Sequence, residues 1–273
     1  MIRHTSVSDD ATYPEFCYHA SKHDDVFEHF RRSPKYNYIV EHFSDREIQI
    51  GGEYLSSILR NTSLHLDLNK WNELLKNDSV GHPRIADYEL NNGGGITASP
   101  TTIRYIKVIS DIISLFDTEK IKTVAEVGVG YAGQCRIFAN ILPITTYYLI
   151  DLPEVLSLSE RFLNEVGISR SVDVRYIDGT HLYNAIHSDF FISNYAFSEL
   201  TKPVQDTYLE KIILNSKAGY ITWNYGGERL NIWNNHGYRL EEILSIIPNS
   251  VEIPEDPPRT EYNRIVLWGN KNL

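Results

Sequence analysis

Cysteine is scarce: the 273 residues hold two, Cys17 and Cys135, far apart and in no metal-ligand spacing. They offer neither a disulfide framework nor a thiolate metal centre, and a reducing, cytoplasmic setting is the expectation. Long apolar runs are lacking as well. No segment approaches membrane-spanning length, and MIRHTSVSDDATYPEF has no apolar stretch fit for a signal peptide, so no membrane insertion is expected. Basic residues are outnumbered, 26 against 36 acidic for a net charge of −10, and no dense Lys/Arg run offsets the deficit. A surface of that sign disfavours phosphate backbones; no nucleic acid partner is expected, and a small or neutral substrate is. Heptads, internal repeats and low-complexity tracts are also missing. What the chain does have is 42% hydrophobic residues, enough for a substantial core.

Residues 121–134, IKTVAEVGVGYAGQ, organise the rest. Ile121 to Val127 is a β-branched, apolar run suited to a strand buried on both faces. It ends in Gly128, Gly130 and Gly133, and from Ala132 the residues Cys135, Phe138, Ala139 and Leu142 recur at helical spacing. Strand, glycine turn and helix in that order make a nucleotide-cofactor cradle: the backbone turns sharply and the helix N-terminus offers unpaired N–H groups. Read alone, Gly128-x-Gly130-x-x-Gly133 with Asp151 further on is a dinucleotide pattern, and an NAD(P)-dependent oxidoreductase is one alternative. A non-catalytic cofactor-binding module is another. Glu126, two residues before the first glycine, stands where a dinucleotide site usually carries an apolar residue.

Before this stretch, residues 1–115 read as a helical N-terminal region and 116–273 as the cofactor-binding domain. Helical spacing marks Asp24–Arg31 and Tyr36–Phe43, broken at Ser33-Pro34, then Gly51–Asn61 and Leu64–Leu75. The histidines His4, His19, His23, His29 and His42 match no ligand motif on one helix face, which points to surface or packing roles. Asp87–Thr102 carries Asn91-Asn92 and three glycines and is expected to be a flexible loop, either a lid or a solvated linker. Downstream, strands and helices alternate, the signature of a mostly parallel sheet covered on both faces, a Rossmann-like α/β fold. Strands are expected at Tyr147–Ile150, Val172–Ile177, Asp189–Ser193 and Tyr220–Trp223. Ser250–Ile253 and Arg264–Trp268 are too close for a helical crossover and form a hairpin, which makes the last strand antiparallel.

An acidic residue before Gly-x-Gly resembles the class I S-adenosylmethionine-dependent methyltransferases, whose sheet also ends in an antiparallel strand. YLIDLPEVLSLSERFL, SNYAFSEL and GYITWN look like the sugar O-methyltransferase family found in antibiotic and surface-polysaccharide gene clusters. The likeness spans about residues 30–270 and is most specific at Asn194–Glu199. The resemblance implies S-adenosylmethionine as cofactor and S-adenosylhomocysteine as product. Glu126 would reach toward the amino group of the methionine portion, beside Gly128, Gly130 and Gly133. Asp151, with Leu152 after it, would hold the ribose hydroxyls. Asp178, Gly179 and Thr180 would sit by the adenine, and Ser193 and Asn194 beside the transferring methyl. The implied acceptor is a saccharide, free, nucleotide-linked or part of a glycan.

A sugar hydroxyl is a weak acid, so a positioned base is expected. Glu199, desolvated among Tyr195, Phe197 and Leu200, is the first candidate, with His181 and Tyr195 behind it. Tyr195, Ser198, Trp223, Asn224 and Tyr225 are the candidate acceptor contacts, the aromatics as sugar-stacking surfaces. No metal is expected. Asp178 and Asp189 are the two carboxylates that could hold a divalent ion, but no clustered pattern supports one. A homo-oligomer fits the composition as well as a monomer does.

Overall fold

The computed structural model describes residues 12–64, 66–90, 94–169, 171–225 and 237–271. The helical region opens with α1 (Thr12–Lys22), followed by the short turns α2 (Asp24–Phe27) and α3 (Pro34–Tyr36) and a π-helical turn, Asn37–Glu41. α4 (Asp45–Arg60) starts six residues before the apolar pattern suggests, because the Ser44 hydroxyl accepts from the Glu47 amide and caps it. α5 (Leu68–Leu75) is capped in the same way by Asp67.

The segment expected to be a flexible loop is a hairpin: β1 (Ala86–Glu89) pairs antiparallel with β2 (Gly95–Ala98). Tyr88 lies opposite Ile96, both are buried, and the Tyr88 hydroxyl packs over Gly51 of α4. The two-residue alternation before and after the Asn/Gly stretch of the sequence is the hairpin signal that the glycines obscured. Asn91, Asn92 and Gly93 lie outside the described residues.

α6 (Pro100–Leu115) carries Pro at its first turn and a Ser99 cap, and leads into the large sheet. Strands β3 (Thr123–Val127), β4 (Thr146–Asp151), β5 (Asp173–Asp178), β6 (Ser188–Asn194), β7 (Ser216–Trp223), β8 (Val251–Pro254) and β9 (Arg264–Trp268) lie in the order β5-β4-β3-β6-β7-β9-β8. The first five are parallel, and β9 inserts antiparallel between β7 and β8. This is the mostly parallel, Rossmann-like sheet with an antiparallel last strand that the closing hairpin implies.

Between the strands run α7 (Gly133–Ile141), α8 (Pro153–Val166), α9 (Ala196–Glu199), α10 (Lys202–Lys211) and α11 (Leu240–Ile246). Alternate residues of β3 separate the two apolar clusters. Val124 joins Phe138, Phe162 and the helical region, whereas Ala125 and Val127 join Phe197, Leu209 and Ile243. The strand order reverses at β3 and β6, and the crevice over their carboxyl ends is where an open α/β sheet binds ligands.

Candidate functional site

A cavity of about 560 Å³ opens over that crevice, a size typical of small-ligand sites. The turn after β3 forms one wall. Gly128 has φ +79°, and a Cβ there would come within 2.1 Å of Ala196 Cβ, so glycine lets α9 press onto the turn. At Gly133 a Cβ would strike the rings of Tyr131 and Tyr105. Gly128 and Gly130 line the cavity directly.

Asp151 ends β4 and fastens this turn. Its Oδ2 accepts from the Val129 amide and its Oδ1 from that of Leu152, each at 2.7 Å. Asp151 and Leu152 both line the cavity. Glu126 lies one strand over, 3% exposed, and accepts from the Tyr147 hydroxyl at 2.8 Å. Burial pushes its carboxyl up to about 8; the Tyr147 bond opposes the shift and the charge of Asp151 adds to it. A buried acid that holds its proton to near neutrality, on a cavity wall, is suited to meet a cation.

At the end of β5 the carboxylate of Asp178 turns back on its own loop, accepting from the Thr180 amide at 2.8 Å and hydroxyl at 2.6 Å. Gly179 and Thr180 line the cavity while Asp178 does not. His181 pairs with Asp178 at 3.1 Å, is mostly exposed and lies outside the lining. Asp189 sits at the other end of the sheet, near the start of β6, where it accepts from the Lys122 and Thr123 amides. Asp178 and Asp189 therefore cannot share an ion. Among the described residues no group of three or more His, Cys, Asp and Glu is placed to hold a metal.

The loop after β6 forms the opposite wall. Ser193 is fully buried, donating to the Val127 carbonyl and accepting from the Phe197 amide, so it builds the turn and does not line the cavity. Asn194 lines it, held by Gln134 at 3.2 Å and Thr222 at 3.3 Å. Tyr195 adopts φ 67°, ψ −41°, a left-handed conformation unusual for a side chain of its size, and its hydroxyl donates to Glu255 at 2.5 Å. Glu199 is half-buried, lines the cavity and accepts from Asn224 Nδ2 at 3.1 Å; Asn224 lines it too.

Three of the expected acceptor contacts are elsewhere. Ser198 holds the Tyr195 carbonyl and the Asn224 amide, Trp223 is 1% exposed against Phe197, and Tyr225 turns its hydroxyl to Glu241. Each is close to the site in sequence, but alternation along β7 turns Trp223 and the short α9 turns Ser198 into the core, and none of the three lines the cavity.

No family model matches the sequence, and no curated protein matches it. Solved structures do resemble it. The complex between the Haloferax volcanii Trm112 methyltransferase activator and a methyltransferase is 14% identical, covering 56% of this chain and 83% of that chain at a TM-score of 0.41. Mitomycin 7-O-methyltransferase MmcR is 11% identical over 60% of this chain and 56% of its own, with a TM-score of 0.44. MtNAS in complex with MTA and tNA is 12% identical over 93% of this chain and 84% of its own, with a TM-score of 0.45. Likeness at this distance carries nothing about substrate, and the chemistry follows from this chain's own residues.

Several lining residues carry no sequence signal. Tyr13, Tyr38, Val40, His42, Arg104, Tyr105 and Arg259 roof the cavity from the helical region and the β8–β9 connection, and Val204 and Tyr208 of α10 line it as well. No motif links positions so far apart. His42 is left-handed at φ 49°, and burial, then Arg259 and Arg104, lowers its pKa to about 3, so it is neutral. Of the other histidines, His19 stacks on His23, His29 meets His82, and His4 lies outside the described residues.

Proposed function

We propose that this chain is an S-adenosylmethionine-dependent O-methyltransferase acting on a sugar hydroxyl, with residues 1–115 as the cap and 116–273 as the cofactor-binding part. The observation that carries it is the meeting of Glu126, Asp151 and Glu199 on one cavity over the strand ends. When bound, the cofactor supplies an electrophilic methyl group on a sulfonium. Glu126 would pair with its ammonium, Asp151 with its ribose hydroxyls, and Gly179 and Thr180 would flank the adenine. The glycine turn fits such a group because Gly128 and Gly130 line the cavity with backbone alone at the start of α7.

On the other side of Asn194, Glu199 takes the acceptor's proton, and Asn224 orients its carboxylate. Alignment of the hydroxyl and removal of its proton are the two tasks left to the protein. The saccharide class is supported by the resemblance at Asn194–Glu199 and by a lining that mixes tyrosine rings with amides.

Thermal shift with S-adenosylhomocysteine, NAD and NADP tests the cofactor. A rise with S-adenosylhomocysteine alone is expected; a rise with NAD or NADP alone would refute the assignment. Glu199→Gln should lower kcat by about 10²–10⁴-fold while S-adenosylhomocysteine affinity stays within about twofold. Unchanged turnover would remove Glu199 as the base.

A further inference from the structure

Two arginines on the cavity roof have more donors than partners. Arg104 of α6 makes one long hydrogen bond, from Nη2 to the Val40 carbonyl at 3.4 Å, and its Nε is buried with no partner. Among the described residues no carboxylate lies within ion-pair distance of it. The other buried arginines are different: Arg31 is paired with Glu41 and Asp78, and Arg136 with Glu73. Arg104 is half-buried and lines the cavity, so its guanidinium borders that space with no carboxylate partner among the described residues, unlike Arg31 and Arg136.

Arg259, from the β8–β9 connection, gives its Nε to Glu47 at 3.0 Å, and its terminal nitrogens make no hydrogen bond among the described residues. The two guanidinium carbons lie 5.9 Å and 5.6 Å from the centre of the Tyr195 ring. Glu47 is the ion-pair partner of Arg259, 3.0 Å from its Nε, whereas Arg104 has no such partner among the described residues. Glu255 is occupied by the Tyr195 hydroxyl, the Arg259 amide and Asn263, and neither Glu255 nor Glu47 lines the wall. His42 stands beside them uncharged.

Charge is therefore segregated: acids at the strand ends, arginines on the roof. An anion entering the cavity is disfavoured at the strand-end carboxylates Asp151 and Glu199 and drawn to the arginines. Guanidinium groups hold carboxylate and phosphate oxygens through paired N–H donors. Arg259 also comes from the β8–β9 edge of the sheet, on the far side of β6 from Asp151 and Thr180. That is the acceptor side of the methyltransferase reading, on which this inference rests.

We propose that Arg104 and Arg259 form an oxyanion subsite and that the acceptor is an anionic sugar, bearing a carboxylate or phosphate beside the hydroxyl that is methylated. Calorimetric titration with glucose, glucuronate and glucose 1-phosphate, on the free and the S-adenosylhomocysteine-saturated protein, tests it. At least one anionic sugar should bind about tenfold or more tighter than glucose, and the tighter of the two identifies the oxyanion. Arg104→Met and Arg259→Met should each remove that preference while S-adenosylhomocysteine affinity stays within about twofold. Equal binding of glucose and the anionic sugars, or binding of neither anion, would overturn the subsite. A parallel loss of S-adenosylhomocysteine affinity in the variants would overturn it too, by assigning the oxyanion to the cofactor. Arginine-dependent anion binding without any S-adenosylhomocysteine binding would support the subsite and refute the methyltransferase reading.

Discussion

Among single residues, Glu126 joins sequence to chemistry most directly. Its place two residues before Gly128 makes it recognisable in the sequence, and its burial beside Tyr147 makes it a weak acid. The folded value of about 8 stands above the ordinary 4.5, so the fold prefers the protonated form. Its contribution is therefore full below about 4.5 and is lost as pH rises through about 8. Glu126→Gln should remove that slope: relative to wild type, the variant should gain melting temperature at pH 8 and gain little at pH 4.5. A ligand ammonium reverses the preference. Binding of S-adenosylhomocysteine at neutral pH is expected to release a fraction of a proton from the wild type and none from Glu126→Gln. Calorimetry in two buffers of different ionisation enthalpy reads this, and equal proton release in both proteins would contradict it. Arg104, Arg259 and His42 had no such signal, since a lone charged residue acquires meaning only when folding chooses its neighbours.

At the level of elements, a buried ionic cluster sets the roof over the glycine turn. Arg31 donates to Glu41 at the end of the π-helical turn, to Asp78 and the Asn77 carbonyl after α5, and to Ser99 at the cap of α6. Its guanidinium also lies 4.4 Å from the centre of the Tyr131 ring, within the cofactor turn. Arg31→Met would strand Glu41 as a buried carboxylate without its cation, while Asp78 keeps the Ser99 and Thr102 donors, at a cost of about 3–5 kcal/mol. Urea denaturation should show that loss in full; a cost under about 1 kcal/mol would mean that Glu41 finds water or other donors. α6, α8 and α10 each carry Pro in the first turn, and Gly167 follows the end of α8, so their ends obey local rules. The pairings made by Arg31 were unreadable, because its partners stand 10, 47 and 68 residues away and no local rule selects them. The β1–β2 hairpin was missed for a different reason: three glycines outweighed the short alternation around Tyr88 and Ile96.

For the whole molecule, alternation of strand and helix indicated a covered sheet, and the closing hairpin indicated its antiparallel edge. Strand order was not legible, since buried β-branched runs look alike whichever neighbour they take. Nor did the sequence reveal how the helical region meets the sheet. One apolar cluster contains Phe30 and Tyr36 from the first part, Tyr131 and Phe162 around the cofactor turn, and Leu267 from the last strand. Tyr131 lies 6.1 Å from Phe30 and 4.7 Å from Phe162, ring centre to ring centre. Arg259 and Glu47 bind each other across 212 residues of chain. Opening the helical region alone would expose the faces of α6 and α7 and leave Arg136 without Glu73. The expected outcome is a single cooperative unfolding transition. Trp71 reports from α5, and Trp223 and Trp268 from the sheet, so their fluorescence should change together with the far-ultraviolet signal of the helices. S-adenosylhomocysteine at about a hundredfold over its dissociation constant should add roughly 2.7 kcal/mol and move both signals by the same amount. If the helical signal melted first and the ligand shifted only the tryptophan transition, the shared core would not be what holds the two parts together, and the roof would be a separately folding unit.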